Sequence, residues 1–520
     1  MSSLELRMRG LQGNPALAQL NHGIEREALR ITPSGSLAQT AHPEAFGSPL
    51  THPSITTDFS EAQLELITGV HQDVESCILE LAEIHMFIHH QLEEELLWPA
   101  SMPCGISNES TIPIARYGRS NAARFKEIYR EGLGHRYGRV MQTISGIHYN
   151  FSIPEAIWDV LAKVDGTSSN QAARNDGYLR LIRNFRKNSW LLIYLFGASP
   201  AVCASFLRNK EHNLQRLDAS TCYLPFATSL RMGPLGYQSK EQSLHRVVYD
   251  SLPKFMNSMV PVLTQSHSRY ARIGIRDGDE YNQLTDALLQ VEAELYATIR
   301  AKRKAQPGER ALVALRRRGI EYVEVRCLDA DPFEPAGISV NTARFMDVFL
   351  LHSFLSSNEG ESEAQSVRNL ENQLNTVHSG RDPELKLMAS DGPRKFVNWA
   401  REILDECVEV AAIIDEANGG RDSRSVVEQQ IAKVKDVTHT PAARLHRLMV
   451  DRKQPFASLG LELAFEHHET MMQNNLSKER QGHFENLARQ SVIDREAVEA
   501  SDEMSFEEYL ADYLSLREHG

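Results

Sequence analysis

Apolar and polar residues alternate in three stretches of the chain, at residues 23–31, 141–153 and 319–328, and strands are the elements that use a period of two. In the second stretch Ile147, Tyr149, Phe151 and Ile153 make an apolar face, with Gln142, Gly146, His148, Asn150 and Ser152 opposite. So polar a face behind a good core face predicts a strand that lines a wet cavity, and Gly146 would admit a close approach there. In the third, Val323, Val325 and Cys327 point one way and Tyr322, Glu324 and Arg326 the other. Helical spacing appears at residues 74–97 and 176–196, and more loosely at 282–304. Beyond about residue 340 the pattern is helical almost throughout, with turns at 380–383 and at Gly392-Pro393. No internal repeat or low-complexity linker interrupts the chain. The expectation is an α+β unit over residues 1–520, with a mixed catalytic part at 1–345 and a mainly helical part at 346–520.

Charge narrows the functions open to such a chain. A formal charge of -13 argues against a general nucleic-acid binder, which needs a basic surface to displace counterions. It leaves room for small anions at a locally basic site. The six cysteines are scattered with no C-x-x-C pair, which fits free thiols in a reducing cytoplasm. The first residues hold no apolar run of the signal-peptide kind. The apolar stretch 190–206 is broken by Gly197-Ala198-Ser199-Pro200 and falls short of the ~20 residues a membrane span needs, so it reads as a buried helix ending near Phe196.

Four strips carry candidate chemistry. On a strand Glu25 and Glu27 share a face, where two carboxylates repel unless a cation intervenes; an oxygen-loving divalent ion such as Mg²⁺ would resolve the conflict. Taken alone, the pair also fits an exposed acidic edge. Glu61 and Glu65 share a face in helix or strand, and Asp58 joins them only in a helix; a solvated helix face is the plainer reading. His148 is either a ligand or a hydrogen-bonded core histidine. Glu324 and Arg326 are either a same-face ion pair or two groups that divide the work, the acid on metal and the planar guanidinium on a substrate carboxylate. If these strips converged they would form a magnesium site of the kind that serves phosphoryl transfer.

The segments GIEREALRI (23–31), ITTDFSEAQLELIT (55–68), SMPCGI (101–106), RFKEIYREGL (124–133), RYGRVMQTISGIHYNFSIP (136–154), YLFGASPAVCASFL (194–207), YLPFATSLRMGPLGY (223–237), LQVEAELYATIRAKR (289–303) and RGIEYVEVRCLD (318–329) follow one another in an order that closely resembles bacterial glutamate–cysteine ligases of the proteobacterial type. The likeness runs over about residues 23–335 and is loose beyond about 345. It implies a glutamine-synthetase-like fold, a curved and mostly antiparallel sheet forming a funnel under helices. The implied reaction passes the γ-phosphoryl group of ATP to the γ-carboxylate of L-glutamate and lets the amine of L-cysteine displace phosphate. This gives γ-glutamylcysteine, the first step of glutathione biosynthesis. The implied metal ligands are Glu25, Glu27, Asp58, Glu65, His148 and Glu324, holding two or three Mg²⁺ ions, with Mn²⁺ as a substitute. Glutamate would be held by Arg326, Gln142 and Ile144, and cysteine by Tyr129, Arg231, Tyr237 and Tyr296. ATP would meet Arg130, Arg300, Lys302 and Arg303, although the last three also fit a solvated helix end. Glu25, Glu324 and Arg326 would carry the catalysis. Ala293, Thr298 and Ala301 depart from the family pattern. The resemblance further implies a cytoplasmic monomer with glutathione as feedback inhibitor, and neither nucleic acid nor membrane as a partner.

Two histidine pairs fall outside this scheme. His85 and His89 stand four apart on a predicted helix with no third ligand nearby, and read as a surface helix face; His467-His468 reads the same way. Two other functions stay open: a related ligase with a different amine acceptor, and a catalytically silent homologue.

Overall fold

The computed structural model describes residues 2–516 apart from Ser107, Asn209, Tyr237 and Pro307. Among them, strands β1 (Asn21–Ile31), β2 (Ile55–Thr57), β3 (Gln63–Ile67), β4 (Leu96–Leu97), β5 (Ile147–Ser152), β6 (Ile299–Lys302) and β7 (Tyr322–Leu328) form the principal sheet. The spatial order is β6–β7–β5–β1–β3–β2, with β4 beside the far end of β1, and every pairing is antiparallel. Alternation along these strands separates two faces. Ile24, Ala28, Ile147, Tyr149, Phe151, Val323 and Val325 are buried in one apolar cluster, and each aliphatic side chain so buried is worth ~1.5–3 kcal/mol.

Helices supply the other side of that cluster. They include α1 (Val74–Gln91), α2 (Asn121–Tyr137), α3 (Gln171–Phe196), α4 (Val340–Leu355), α5 (Phe396–Asn418) and α6 (Phe456–Gln473). Helix α3 packs on α4 and on β7, and α4 packs on α5. The apolar stretch from Trp190 is the end of α3, which stops at Phe196. Among the described residues, no helix is long and apolar enough to cross a membrane.

Several expectations need correction. Residues 282–304 are not a helix: they hold a single short turn, Glu292–Glu294, and then β6. Side chains have taken the backbone's hydrogen bonds, for Gln290 Oε1 accepts from Leu284 N at 2.9 Å and Glu294 Oε2 from Gln290 N at 2.6 Å. The stretch 141–153 is strand only from Ile147; Arg139–Gln142 is a one-turn helix, and Gln142 reaches its place from the end of it. The helix expected at 74–97 stops at Gln91, and Leu96–Leu97 is strand. The predominantly helical region after residue 340 contains a hairpin, Lys386–Ala389 with Gly392–Lys395. His85 and His89 are not on the surface: they are buried between α1 and α6, where His89 Nδ1 lies 3.0 Å from His468 Nδ1. Finally, Cys104 and Cys203 form a disulfide with Cα atoms 5.5 Å apart, while Cys77, Cys222, Cys327 and Cys407 are free and buried. A pairing across a sequence separation of 99 leaves no local signature in the sequence.

Candidate functional site

Strand register brings the acidic strips together. Glu25 stands opposite His148 across the β1–β5 pair, and Glu27 opposite Glu65 across β1–β3. Asn150 stands opposite Glu324 across β5–β7, and Glu324 opposite Arg300 across β7–β6. One face of five adjacent strands therefore becomes a floor of carboxylates. Glu25 accepts hydrogen bonds from His148 Nδ1 (3.0 Å) and Asn150 Nδ2 (2.9 Å), and Glu27 accepts one from Gly146 N (2.7 Å). Asp58 follows β2 in a turn whose carbonyl accepts from the Arg130 guanidinium. Glu61 is occupied elsewhere, for its carboxylate accepts from His42 N and Arg116 N and takes no part in the floor.

Crowding leaves a mark on these acids. Burial, followed by Glu27, raises the Asp58 carboxyl to about 6. Burial and the neighbouring Glu25, Asp58 and Glu27 raise Glu65 well above its ordinary value. Burial also pushes Glu25 upward, but its His148 hydrogen bond and the nearby cations hold it below the usual range. Glu324 is the opposite extreme. Despite burial, Lys302 Nζ at 3.1 Å, Arg326 Nη1 at 3.3 Å and Arg300 Nη1 at 3.9 Å keep it well below a normal glutamate. Its Oε2 is buried without a hydrogen bond.

The floor fits hard divalent ions. Glu25, Glu65 and His148 offer donor atoms within 4.8 Å of one another, and so do Glu27, Asp58 and Glu65. Among the described residues these are the sets of three that converge so closely; the buried histidines of α1 and α6 form none. Mainly oxygen donors, with two carboxyls raised by burial and then by neighbouring acids, match an ion such as Mg²⁺ better than a soft metal.

Opposite the floor, a wall closes a cavity of about 280 Å³. Tyr129, Arg130 and Leu133 reach it from α2, and Met141, Gln142 and Ile144 from the turn before β5. Arg231 and Tyr296 complete that side, with Gln142 Nε2 donating to the Tyr296 hydroxyl at 3.2 Å. Gly146 is required here, although by a protein group rather than a ligand. A Cβ at that position would stand 2.0 Å from Arg231 Nη2, whose guanidinium donates to the Arg326 carbonyl at 3.0 Å. Arg326 itself lies where the β7–β5 register slips between Val325 and Leu328, and its side chain lines the cavity on the face of Glu324.

Of the residues singled out in the sequence, Arg303 does not line the cavity: it donates to the Gly319 carbonyl at 2.9 Å and faces Glu321. Tyr237 lies outside the described residues. Phe59, Leu133, Met141 and Glu294 line the cavity without having been singled out, and the departure at Ala293 falls on its lining too. Phe59 sits beside Asp58 in the acidic strip and was within reach of the sequence. Glu294 was hidden by the expectation of a helix.

The family model for glutamate–cysteine ligase matches residues 7–377. A glutamate–cysteine ligase of Pseudomonas aeruginosa is 43% identical over 516 residues, 98% of this chain and 97% of that protein. The one from Pseudomonas putida is 43% identical over 99% of this chain and 98% of its own. Among solved structures, the glutamate–cysteine ligase of Francisella tularensis in complex with AMP superposes with a TM-score of 0.90 at 35% identity, covering 95% of this chain and 97% of that one. These alignments reach past residue 345, so the helical end is shared as well.

Proposed function

The chain belongs to the glutamate–cysteine ligase family, and on that premise we propose that its cavity joins the γ-carboxylate of L-glutamate to the amine of L-cysteine at the expense of ATP. The observation that carries this reading is the meeting of two charge patterns in one cavity: a floor of five carboxylates with His148, and a border of Arg130, Arg300, Lys302 and Arg326. The sheet would then be the curved funnel of a glutamine-synthetase-like fold, with residues 1–345 as the catalytic part and 346–520 bracing it.

Glu25, Glu27, Asp58, Glu65, His148 and Glu324 hold two or three Mg²⁺ ions in this reading, with Mn²⁺ able to substitute. When bound, such ions offset the charge that gathers on transferring phosphoryl oxygens. Arg326 fixes the α-carboxylate of glutamate through its planar fork, with Gln142 and the backbone at Ile144 beside it. Arg130, Arg300 and Lys302 neutralise the triphosphate. Glutamate's γ-carboxylate oxygen attacks the γ-phosphorus, the bond to ADP breaks, and a γ-glutamyl phosphate results. The amine of cysteine attacks the acyl carbon, phosphate leaves with the bonding pair, and the amine loses its proton.

Arg231 and Tyr296 hold the cysteine carboxylate, while Tyr129 packs on its thiol side chain; the resemblance adds Tyr237 to that pocket. A weakly polar pocket of this kind separates SH from a methyl-sized isostere by only ~1–3 kcal/mol. A cytoplasmic location, action as a monomer and feedback by glutathione complete the reading. The test is ADP release with ATP, magnesium and glutamate against a panel of amino acids. Strong stimulation by cysteine, with weaker stimulation by 2-aminobutyrate, is the expected result. Preference for another amine would reassign the acceptor, and no phosphate release under any condition would mark a silent homologue.

A further inference from the structure

Tyr296 occupies an unusual place in the architecture: it lines the main cavity, and it also lines a second cavity of about 270 Å³ on its other side. The residues from Leu295 to Ala297 belong to no strand or helix. A wall one chain thick, with space on both sides, cannot be held in place by close packing alone. Its position must come from hydrogen bonds.

Gln242 supplies two of them, beside the Arg300 guanidinium, which donates to the Leu295 carbonyl at 3.1 Å, and Gln142 on the Tyr296 hydroxyl. Gln242 sits in the short helix Lys240–Ser243, is 6% exposed, and lines the second cavity. Its Oε1 accepts from the backbone N–H of Tyr296 at 2.9 Å. Its Nε2 donates to the Tyr137 hydroxyl at 3.0 Å and to the Glu294 carbonyl at 3.0 Å. The amide oxygen and one amide hydrogen are thus committed to the segment that carries Tyr296, and the other hydrogen to Tyr137 behind it. Behind them stands a rigid base. The Tyr137 hydroxyl donates to Glu294 Oε1 at 2.7 Å, and Arg136 Nη1 lies 3.0 Å from that oxygen, with both charged side chains fully buried. The Tyr137 ring meets the Tyr296 ring edge-on with centroids 5.7 Å apart.

We infer that Gln242 is a positioning residue for the amine-acceptor side of the reaction, fixing where Tyr296 stands when cysteine binds. The inference rests on the assignment of Tyr296 to the cysteine pocket. Gln242 does not line the main cavity and touches none of the floor carboxylates, so it reaches the site through the Tyr296 segment.

The experiment is a steady-state comparison of Gln242→Met, which keeps length and loses every hydrogen bond, with the wild-type enzyme. The expected result is a roughly ten-fold rise in KM for cysteine, the size expected when, of the three hydrogen bonds lost, the one to Tyr296 N is felt in cysteine binding. The KM values for glutamate and ATP should change less than two-fold. In a Tyr296→Ala background the same substitution should change the cysteine KM less than two-fold, because no side chain remains to be placed. Equal losses for all three substrates, an unchanged cysteine KM, or full additivity in the double variant would overturn the inference. If Gln242→Met does not fold, Tyr137→Phe removes the hydroxyl that anchors Gln242 and should raise the cysteine KM by about three-fold; no selective rise in that variant also overturns it. A wild-type enzyme with no cysteine-dependent ADP release would instead sink the functional assignment itself, before any variant is made.

Discussion

Glu25, Glu27, Glu65, His148 and Glu324 reach the cavity from neighbouring strands whose backbones are locked in an antiparallel ladder. Across from them, Tyr296, Gln142 and Arg231 reach it from turns and irregular chain, held by side-chain hydrogen bonds and by the buried Arg136–Glu294 pair. The floor brings like charges together and raises Asp58 and Glu65 against their ordinary values. The wall pairs its buried charges internally. On the proposed function the floor carries an electrostatic burden for a ligand's sake, whereas the wall's buried Arg136–Glu294 pair serves the fold.

Substitutions should separate the two. The largest effect is expected for Glu25→Gln, which removes a floor charge yet leaves an amide that can accept from Asn150 through its oxygen and donate to His148 Nδ1 in the other tautomer. ADP release should fall by about 10³-fold or more, a loss of the size that follows removal of a preorganised electrostatic group. Circular dichroism and the thermal midpoint should stay close to the wild type. Turnover near normal would strike Glu25 from the floor's working groups. The wall should answer in the reverse way. Glu294→Gln leaves Arg136 buried without its counter-charge, and breaking such a pair costs about 3–5 kcal/mol of stability. Urea unfolding measures that loss directly, and a stability unchanged within error would mean the pair is not holding the wall.

A smaller effect tests the border between the regions. Arg326→Lys keeps the charge that faces Glu324 but cannot form a two-pronged contact with a carboxylate. The KM for glutamate should rise about 10–30-fold, with the cysteine KM nearly unchanged. A glutamate dependence identical to wild type would remove Arg326 from that role.

The same contrast explains how much could be read from the sequence. Period two is a property of the strand itself, so the faces carrying Glu25 and Glu27, His148 and Asn150, or Glu324 and Arg326 were visible before any fold was known. The convergence of those faces depends on strand order, which alternation does not encode. Asp58 was ambiguous because its strip is two short strands with a turn between them. The wall was legible only through the family resemblance, which named Tyr129, Gln142, Ile144, Arg231 and Tyr296, and not through local pattern. Residues 282–304 carry good helix formers, yet Gln290 and Glu294 divert the backbone's hydrogen bonds, and no local pattern announces that outcome. The buried histidines show the same limit: His85 and His89 lie on one helix face as expected, but what covers that face is α6, nearly four hundred residues away in the chain.

Asp58 gives the subtlest test, because it asks whether the floor's burden can be measured in the folded protein alone. Its carboxyl is raised from 3.8 to about 6, so between those values the folded chain holds more protons than the unfolded one. Stability contributed by this group is therefore lost as pH rises from about 4 through 6, the reverse of an ordinary salt-bridged aspartate. Buried histidines act in the other direction. Burial lowers His89 to about 3 and His467 to about 4, so they destabilise the fold as pH falls below 6.5. A pH scan of the wild type alone sums the two trends. Asp58→Asn isolates one of them: in metal-free protein at pH 7 it should be more stable than the wild type by about 1–2 kcal/mol, a figure discounted because the carboxylate is partly exposed. At pH 4 the difference should vanish. Added magnesium should raise the thermal midpoint of the wild type more than that of Asp58→Asn, since only the former regains the charge relief the ion provides. An Asn variant that is less stable at pH 7 and indifferent to pH would mean Asp58 is satisfied by Arg130 and Arg326, and that the strain of the floor falls on Glu65 instead.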